Sequence, residues 1–538
     1  MENKMKKLFL LLFLFCHSFA GEKSGISGIS MGNIFVATTG GIEAIGTNPS
    51  RLASFDRPKG KIKLTFNLVK DTVIGEFKTV LTQNIIDSLI SKTFQDTSYF
   101  FEENKIFRKT RYDSIAYIDE ELPNFTFTFL PVSMQFGSDF FNYDIYSKFF
   151  TGEIVNGKKI GKHLSDNDKN EILKIFPEGI AENNFDFETK LFASTIHTKK
   201  YGHLGFAITE KVNVNFNIPK DYIRFPLYGF SINGSQYDFS GTKIEGQIYQ
   251  EIAIAYAKEI NFENEYLKNF SFGISPKIIQ GFAYFNLDKY NVNLGTQLNA
   301  NGIDSLYNIY GNANIHFIST TGDFLDSAKN FFDRFFSPSG NGFAFDLGIN
   351  CEILNGISFG MSLTDIGKIK WSKNVIENSI ESYISISNLV SQQSQDSIEK
   401  FVDKLTSDIK NLEGDTVKEF SSQLPTALNI GISWMQPIKY VGDILIGVQL
   451  QKGFNDAPGN SKRTRISFGS EYRLVKWFPI RMGIGIGGKN KFNIAGGFGF
   501  DFYYGNIDVG FENIVYIFTP TPKAINQVSF GVGMKFRF

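Results

Sequence analysis

A strict two-residue period over the last thirteen residues constrains this chain more than any other feature. From Asn526 to Phe538, Val528, Phe530, Val532, Met534, Phe536 and Phe538 fall on one side, while Gln527, Ser529, Gly531, Gly533, Lys535 and Arg537 fall on the other. Only an extended strand turns that alternation into two faces. The pattern recurs upstream. Leu428, Ile430, Ile432 and Trp434 alternate with Ala427, Asn429, Gly431 and Ser433, and Phe492, Ile494, Phe498, Phe500 and Phe502 alternate with Asn493, Ala495, Gly497, Gly499 and Asp501. Further strands are expected at about 443–452, 463–474, 478–487 and 505–513. Segments of about ten residues, aromatic on one face and small or polar on the other, match a barrel in lipid with a wet interior.

The N-terminus carries Lys4, Lys6 and Lys7, an apolar run from Leu8 to Phe15, and Ser18-Phe19-Ala20 before Gly21. This pattern predicts an export signal over residues 1–20, cleaved after Ala20. Cys16 follows the bulky Phe15, which disfavours lipidation. No later stretch approaches the length of apolar sequence a spanning helix needs, so membrane association is expected by barrel alone. The mature chain carries a net charge close to −2, which gives no reason to expect nucleic acid as a partner. One cysteine remains, Cys351, in register with the apolar Phe343, Phe345, Leu347 and Ile349, and it reads as a small hydrophobe. The 57 Phe and 50 Gly suit aromatic girdles outside and close backbone packing inside.

Residues 21–56 are Gly-rich without a long periodic segment and are expected to form an N-terminal plug, with the barrel over 57–538. A first strand is expected at Lys61 to Val69. A charged excursion over about 70–122 follows, with Val80, Ile85, Ile86, Leu89 and Ile90 at helical spacing. Phe125, Phe127 and Phe129 mark another strand. A second insert, about 137–183, contains Ser165 as helix cap and Pro177 as stop. Its Asp166, Asp168 and Asn170 do not make a calcium loop, because Glu171 stands where Gly is needed and Pro177 where Glu is needed. Strands are then expected at about 185–196, 202–209, 249–258, 268–284, 310–318, 342–351 and 355–364. A third insert over 365–424 has Ile398, Phe401, Val402, Leu405 and Ile409 at helical spacing. With the C-terminus periplasmic, short connections fall inside and long ones outside. The sixteen candidates reduce to an expected all-β, antiparallel up-and-down transmembrane barrel of about fourteen strands, with sixteen as the fallback.

Two motifs carry a family resemblance. The small-residue segment Ala37 to Thr47, followed by Asn48-Pro49-Ser50-Arg51-Leu52-Ala53, resembles the N-terminal hatch of FadL-type hydrophobic-compound channels, whose usual form is Asn-Pro-Ala-Gly-Leu. Ser50 and Arg51 replace the usual Ala-Gly and add a charge near the lumen. Leu424-Pro425-Thr426, leading into a Gly-alternating strand, resembles a large uncharacterised family of Bacteroidetes-type outer-membrane barrels. The terminal Phe536 and Phe538 resemble the signal by which closing strands engage the barrel-assembly machinery. The resemblance implies a monomer in the outer membrane, in contact with its lipid, that passes a small hydrophobic ligand. Gly46, Asn48, Pro49 and Leu52 would set the hatch or gate. FadL-like barrels also include the lipoprotein-binding shuttle of the type IX secretion system, so a docking role is the alternative. The inward set on the clearest strands, Asn, Ser, Gln, Gly, Asp and Arg, is not greasy, which weighs against a purely apolar axial path. In the FadL type, the path can also leave sideways through the wall.

Enzymatic chemistry has little to stand on. The mature histidines are His163, His197, His203 and His316, with no metal-hydrolase spacing among them. His197 and His203 flank the tight turn Lys199-Lys200-Tyr201-Gly202, which brings them close across a hairpin, although polar residues at a strand end explain them equally well. Ser194 near His197 lacks a nucleophile-elbow pattern. Gly483, Gly485, Gly487 and Gly488 alternate with Met482, Ile484 and Ile486, and so read as a close-packed inner wall rather than a nucleotide loop. No catalytic, cofactor or metal site is expected.

Overall fold

The computed structural model describes residues 25–54, five short strands between 63 and 119, and residues 123–538 apart from short stretches, of which the longest are 321–336, 391–414 and 515–526. Fourteen strands close into an antiparallel ring. In chain order, β1 runs over Phe125–Thr128 and Val132–Ser138, β2 over Ile180–Thr198, β3 over Gly202–Pro219 and β4 over Lys243–Asn261. Next come β5 (Leu267–Leu298), β6 (Gly340–Ile353), β7 (Ile357–Trp371), β8 (Ala427–Ile438) and β9 (Gly442–Gly453). The ring ends with β10 (Arg465–Val475), β11 (Phe478–Gly487), β12 (Phe492–Phe502), β13 (Gly505–Glu512) and β14 (Gln527–Arg537). Closure is made by the chain end itself: the Phe538 N–H donates to the Phe125 carbonyl, and the Phe125 N–H donates to the Phe538 carbonyl. In lipid no water pairs an open edge, so this last ladder is a condition of the fold.

The two surplus strand candidates are accounted for. The segment at Lys61 to Val69 does not enter the barrel. Its Lys63–Thr65 pairs with Tyr117–Asp119 inside a separate compact unit, Pro58–Leu122, which also holds a three-stranded sheet of Thr72–Glu76, Lys105–Lys109 and Ser98–Glu102. A period of two fixes faces but not partners, so the sequence alone assigned this strand to the wrong sheet. The helix expected around Val80 to Ile90 lies outside the described residues. The candidate at 310–318 belongs to Leu306–Thr320, which pairs with the outer half of the 32-residue β5 and with Ile376–Val390, beyond the ring. The insert expected to be helical over 365–424 therefore begins as strand. Isoleucines at alternate positions 376, 380, 384 and 386 favour that state. Ile398 to Ile409 lie outside the described residues. The helix capped by Ser165 forms over Asp166–Ile175, with a reciprocal bond between Ser165 and Asp168.

Outward positions carry an apolar belt, including Ile432, Ile446, Phe468, Met482, Ile484, Phe498 and Val532, all exposed. On a water-soluble protein such a belt would be a liability, and on a membrane barrel it faces lipid. Among the described residues no helix is long and apolar enough to cross a membrane. Connections at the end near Phe538 are short, such as 199–201, 354–356 and 503–504, and those at the far end are long apart from the tight turn at 488–491.

Inside, one level of the wall is nearly free of side chains. Across successive ladders Gly273 faces Gly348, Gly360 faces Gly431, Gly447 faces Gly469, Gly469 faces Gly483, and Gly497 faces both Gly510 and, through it, Gly531. Alanines complete the ring, with Ala193 opposite Ala207 and Ala207 opposite Ala253. Residues 25–54 lie in this groove. A Cβ added at Gly273 would collide with the backbone of Pro49 and Ser50, and one at Gly483 with that of Met31 and Gly32. Gly273→Ala and Gly483→Ala should each destabilise the folded form by about 1–3 kcal/mol, the usual overpacking range. The measurement is the temperature at which compact gel migration in detergent is lost; an unchanged temperature in both variants would contradict close hatch packing.

Candidate functional site

The segment inside the barrel is built from three short turns, Ile26–Ser30, Gly41–Ala44 and Pro49–Ala53. Gly46 between them has φ +87°, a conformation that favours glycine. Asn48 is the hub. Its Oδ1 accepts from the Ser50 hydroxyl (2.7 Å) and N–H (3.3 Å), while its Nδ2 donates to the Val36 carbonyl (2.8 Å) and the Ile349 carbonyl of β6 (3.5 Å). Pro49 opens the last turn with the fixed φ that position wants. Leu52 is fully buried with Ile42, Ile45 and the alanines of β2, β3 and β4. The charge added by Arg51 does not face open lumen: the side chain is buried, its Nε donating to the Thr39 carbonyl (2.7 Å) and its Nη1 to Asn350 Oδ1 (3.3 Å). Phe536 and Phe538 point outward, where both stack on Phe127 of β1.

Charged layers bracket this segment. On the far side, Lys277 Nζ lies 2.8 Å from Asp346 and 3.5 Å from Glu251 and also pairs with Asp365, while Lys211 lies 2.9 Å from Glu251. Those five residues are buried and come from β3 to β7. On the near side, Glu471 joins Arg473 and Arg481 at 2.7 Å each, Asp501 joins Arg473 and Arg537, and Asp508 joins Arg481. Farther out, Trp371, Tyr249, Ile279, Val375 and Leu424 form an apolar layer with Tyr284 and Phe420. Both layers are built of buried cross-strand ion pairs on the inner wall, each costly to open.

The wall is interrupted at its seam. β1 is interrupted at Phe129, Leu130 and Pro131, where Leu130 adopts φ +49°, and the opposing residues of β14, Gly533 and Met534, have no ladder partner in β1. The neighbouring strand β2 shifts register between Lys190 and Phe192 at the same level. On the lumen side of this break is a cavity of about 40 Å³, bordered by Ile26, Ile42, Glu43, Pro131, Met534 and Lys535. That volume holds about two or three water molecules, too little for a hydrocarbon. The hatch is tied across it: Lys535 Nζ lies 2.9 Å from Glu43 Oε1, Ser27 also bonds Glu43, and Lys190 Nζ donates to the Ile45 carbonyl (3.2 Å).

Of the enzymatic candidates, Ser194 and His197 fall on opposite faces of β2, Ser194 outward beside Ile196 and His197 inward and buried, so they cannot act together. His197 and His203 do meet, with Nδ1 atoms 3.0 Å apart. Sequence reasoning missed the ion-pair layers and the seam. The charges were visible as inward positions, but their partners sit on other strands, 88 residues away in sequence for Lys277 and Asp365.

A closed, fourteen-stranded antiparallel barrel with an apolar outer belt, and with residues 25–54 lying inside it, defines a β-barrel of the membrane-spanning kind. Residues 122–509 match the model described as a family of unknown function (DUF5723), and the chain belongs to that family. No curated protein matches it. Among solved structures it is similar to the toluene transporter TbuX of Ralstonia pickettii (11% identity, covering 78% of this chain and 90% of that one, TM-score 0.36). It is likewise similar to the toluene transporter TodX of Pseudomonas putida (8%, 96% and 98%, 0.38) and a FadL homologue of Pseudomonas aeruginosa (9%, 97% and 100%, 0.37). At these scores the likeness carries no argument about function.

Asn48→Ala removes a turn cap and the tether to Val36, a loss of about 1 kcal/mol for the cap alone. Amide hydrogen exchange over residues 37–53 should accelerate about fivefold to tenfold while the strands keep their protection. Equal exchange in wild type and variant would show that Asn48 does not hold the hatch.

Proposed function

We propose that the chain passes small hydrophobic molecules across the outer membrane, with release sideways through the seam rather than straight down the lumen. The observation that carries this reading is the break in β1 at Phe129 to Pro131, beside a small cavity that the hatch closes with the Glu43–Lys535 pair. Its border sets Ile26, Ile42, Pro131 and Met534 among the charged Glu43, Glu188, Lys190, Asp508 and Lys535. Asn48, Pro49 and Leu52 abut β6, β5 and β3, and Gly46 supplies the left-handed backbone that leads into that turn. The gate in this reading is the Gly41–Ala44 turn, displaced when Glu43 leaves Lys535. The terminal Phe536 and Phe538, outward and stacked on Phe127, are the residues that the assembly machinery would read on a monomeric chain.

A second reading is supported by the sheet beyond the ring. The outer half of β5, Leu306–Thr320 and Ile376–Val390 extend past the barrel over an aromatic cluster that includes Tyr237, Phe239 and Phe225, a platform suited to docking a secretion partner. Flux separates the two. In proteoliposomes, Lys535→Met should raise the passage of a small aromatic hydrocarbon by about threefold to tenfold, the effect of losing a pair worth roughly 1 kcal/mol, and leave a sugar of similar size unchanged. No hydrocarbon flux in either protein would sink the channel reading and favour the docking platform.

A further inference from the structure

Lys190 stands apart from the other cations of the inner wall. Among the described residues, every other buried lysine or arginine of the barrel strands lies within ion-pair distance of a carboxylate. Lys190 is buried as well, yet no carboxylate among the described residues pairs with it. Its ammonium is held by a single neutral acceptor, the Ile45 carbonyl of the hatch. A cation kept from water with so little compensation is costly, and that cost falls when a carboxylate comes within reach.

Its place in the wall is specific. The Lys190 N–H donates to the Pro131 carbonyl (3.3 Å) and its carbonyl accepts from the Leu130 N–H (2.9 Å), so its backbone spans the break in β1. Its side chain borders the small cavity inside that break, together with Glu43 and Lys535. The acceptor that holds it, Ile45, directly follows the Gly41–Ala44 turn that carries Glu43. A displacement of that turn large enough to part Glu43 from Lys535 therefore also draws the Ile45 carbonyl off Lys190. One movement frees an anion and a cation on the border of the same cavity.

We infer that Lys190 is a second seat for Glu43: with the hatch turn in place Glu43 pairs with Lys535 on β14, and with the turn displaced it pairs with Lys190 on β2. Those two strands flank β1, so the exchange carries the carboxylate across the inner side of the break. It also conserves the number of buried ion pairs. A Glu43 that left Lys535 for no partner would be an unpaired buried charge, which is strongly destabilising. As a gating step the exchange rests on the channel reading, so it is tested without flux.

The first test is a crystal structure of Lys535→Met. The Glu43 carboxylate should lie within hydrogen-bond distance of Lys190 Nζ, with the Ile45 carbonyl released. The second readout is the temperature at which compact gel migration is lost. Lys190→Met combined with Lys535→Met leaves Glu43 with neither seat, and should lower that temperature by more than the two single shifts together. Adding Glu43→Gln to the double variant should restore most of the excess, or the compact form itself where the double variant does not reach it. Glu43 still beside Ser27 in Lys535→Met, with Lys190 on the Ile45 carbonyl, would overturn the second seat. So would single shifts that simply add, or a double variant that Glu43→Gln does not rescue. Neither readout involves a solute, so these results leave the channel reading to the flux measurement, and an absence of flux leaves the exchange standing.

Discussion

Everything in this molecule depends on leaving no backbone edge open to lipid. Fourteen strands meet that condition only if the last pairs with the first, and the chain uses its final residue to do so, exchanging two hydrogen bonds between Phe538 and Phe125. The closing ladder is itself interrupted. β1 pairs with β14 in two pieces, three residues on one side of the break and six on the other. Closure and this break therefore coincide, and Glu43 of the inner segment pairs with Lys535 of β14 beside it.

The ring of small residues follows from the need to hold a plug without flooding the lumen. A barrel of this size leaves an interior that side chains alone do not fill at every level. Here glycine and alanine withdraw the wall at one level so that residues 25–54 lie backbone to backbone against it, and long charged side chains fill the levels above and below. Each buried carboxylate in the two main ion-pair layers has a cationic partner, which is what makes its burial tolerable.

Much of this was legible in the sequence, for a physical reason. Period-two alternation is local, so the outward faces of β8 and β10 to β14 could be read residue by residue, and an even strand count near fourteen followed. The Asn48-Pro49 turn was legible because its capping chemistry spans only three residues. What failed was long-range pairing. The strand around Leu64 looks no different from a barrel strand, yet it pairs with Tyr117–Asp119 in another unit. Lys277 meets Asp365, and Lys535 meets Glu43, across distances in sequence that no periodicity encodes. The break in β1 was hidden as well: Pro131 was in view, but only the register of β14 reveals that Gly533 and Met534 lack a ladder partner there.

The proposed sideways release at the seam is tested most directly by a crystal structure of the protein in lipidic phase, soaked with a brominated aromatic hydrocarbon and recorded at the bromine edge. Anomalous density is expected between the Gly41–Ala44 turn and Met534, level with Phe129 to Pro131, with Glu43 displaced from Lys535. Bromine density running along the lumen axis through the Lys277 and Asp346 layer, with the seam still closed, would contradict it.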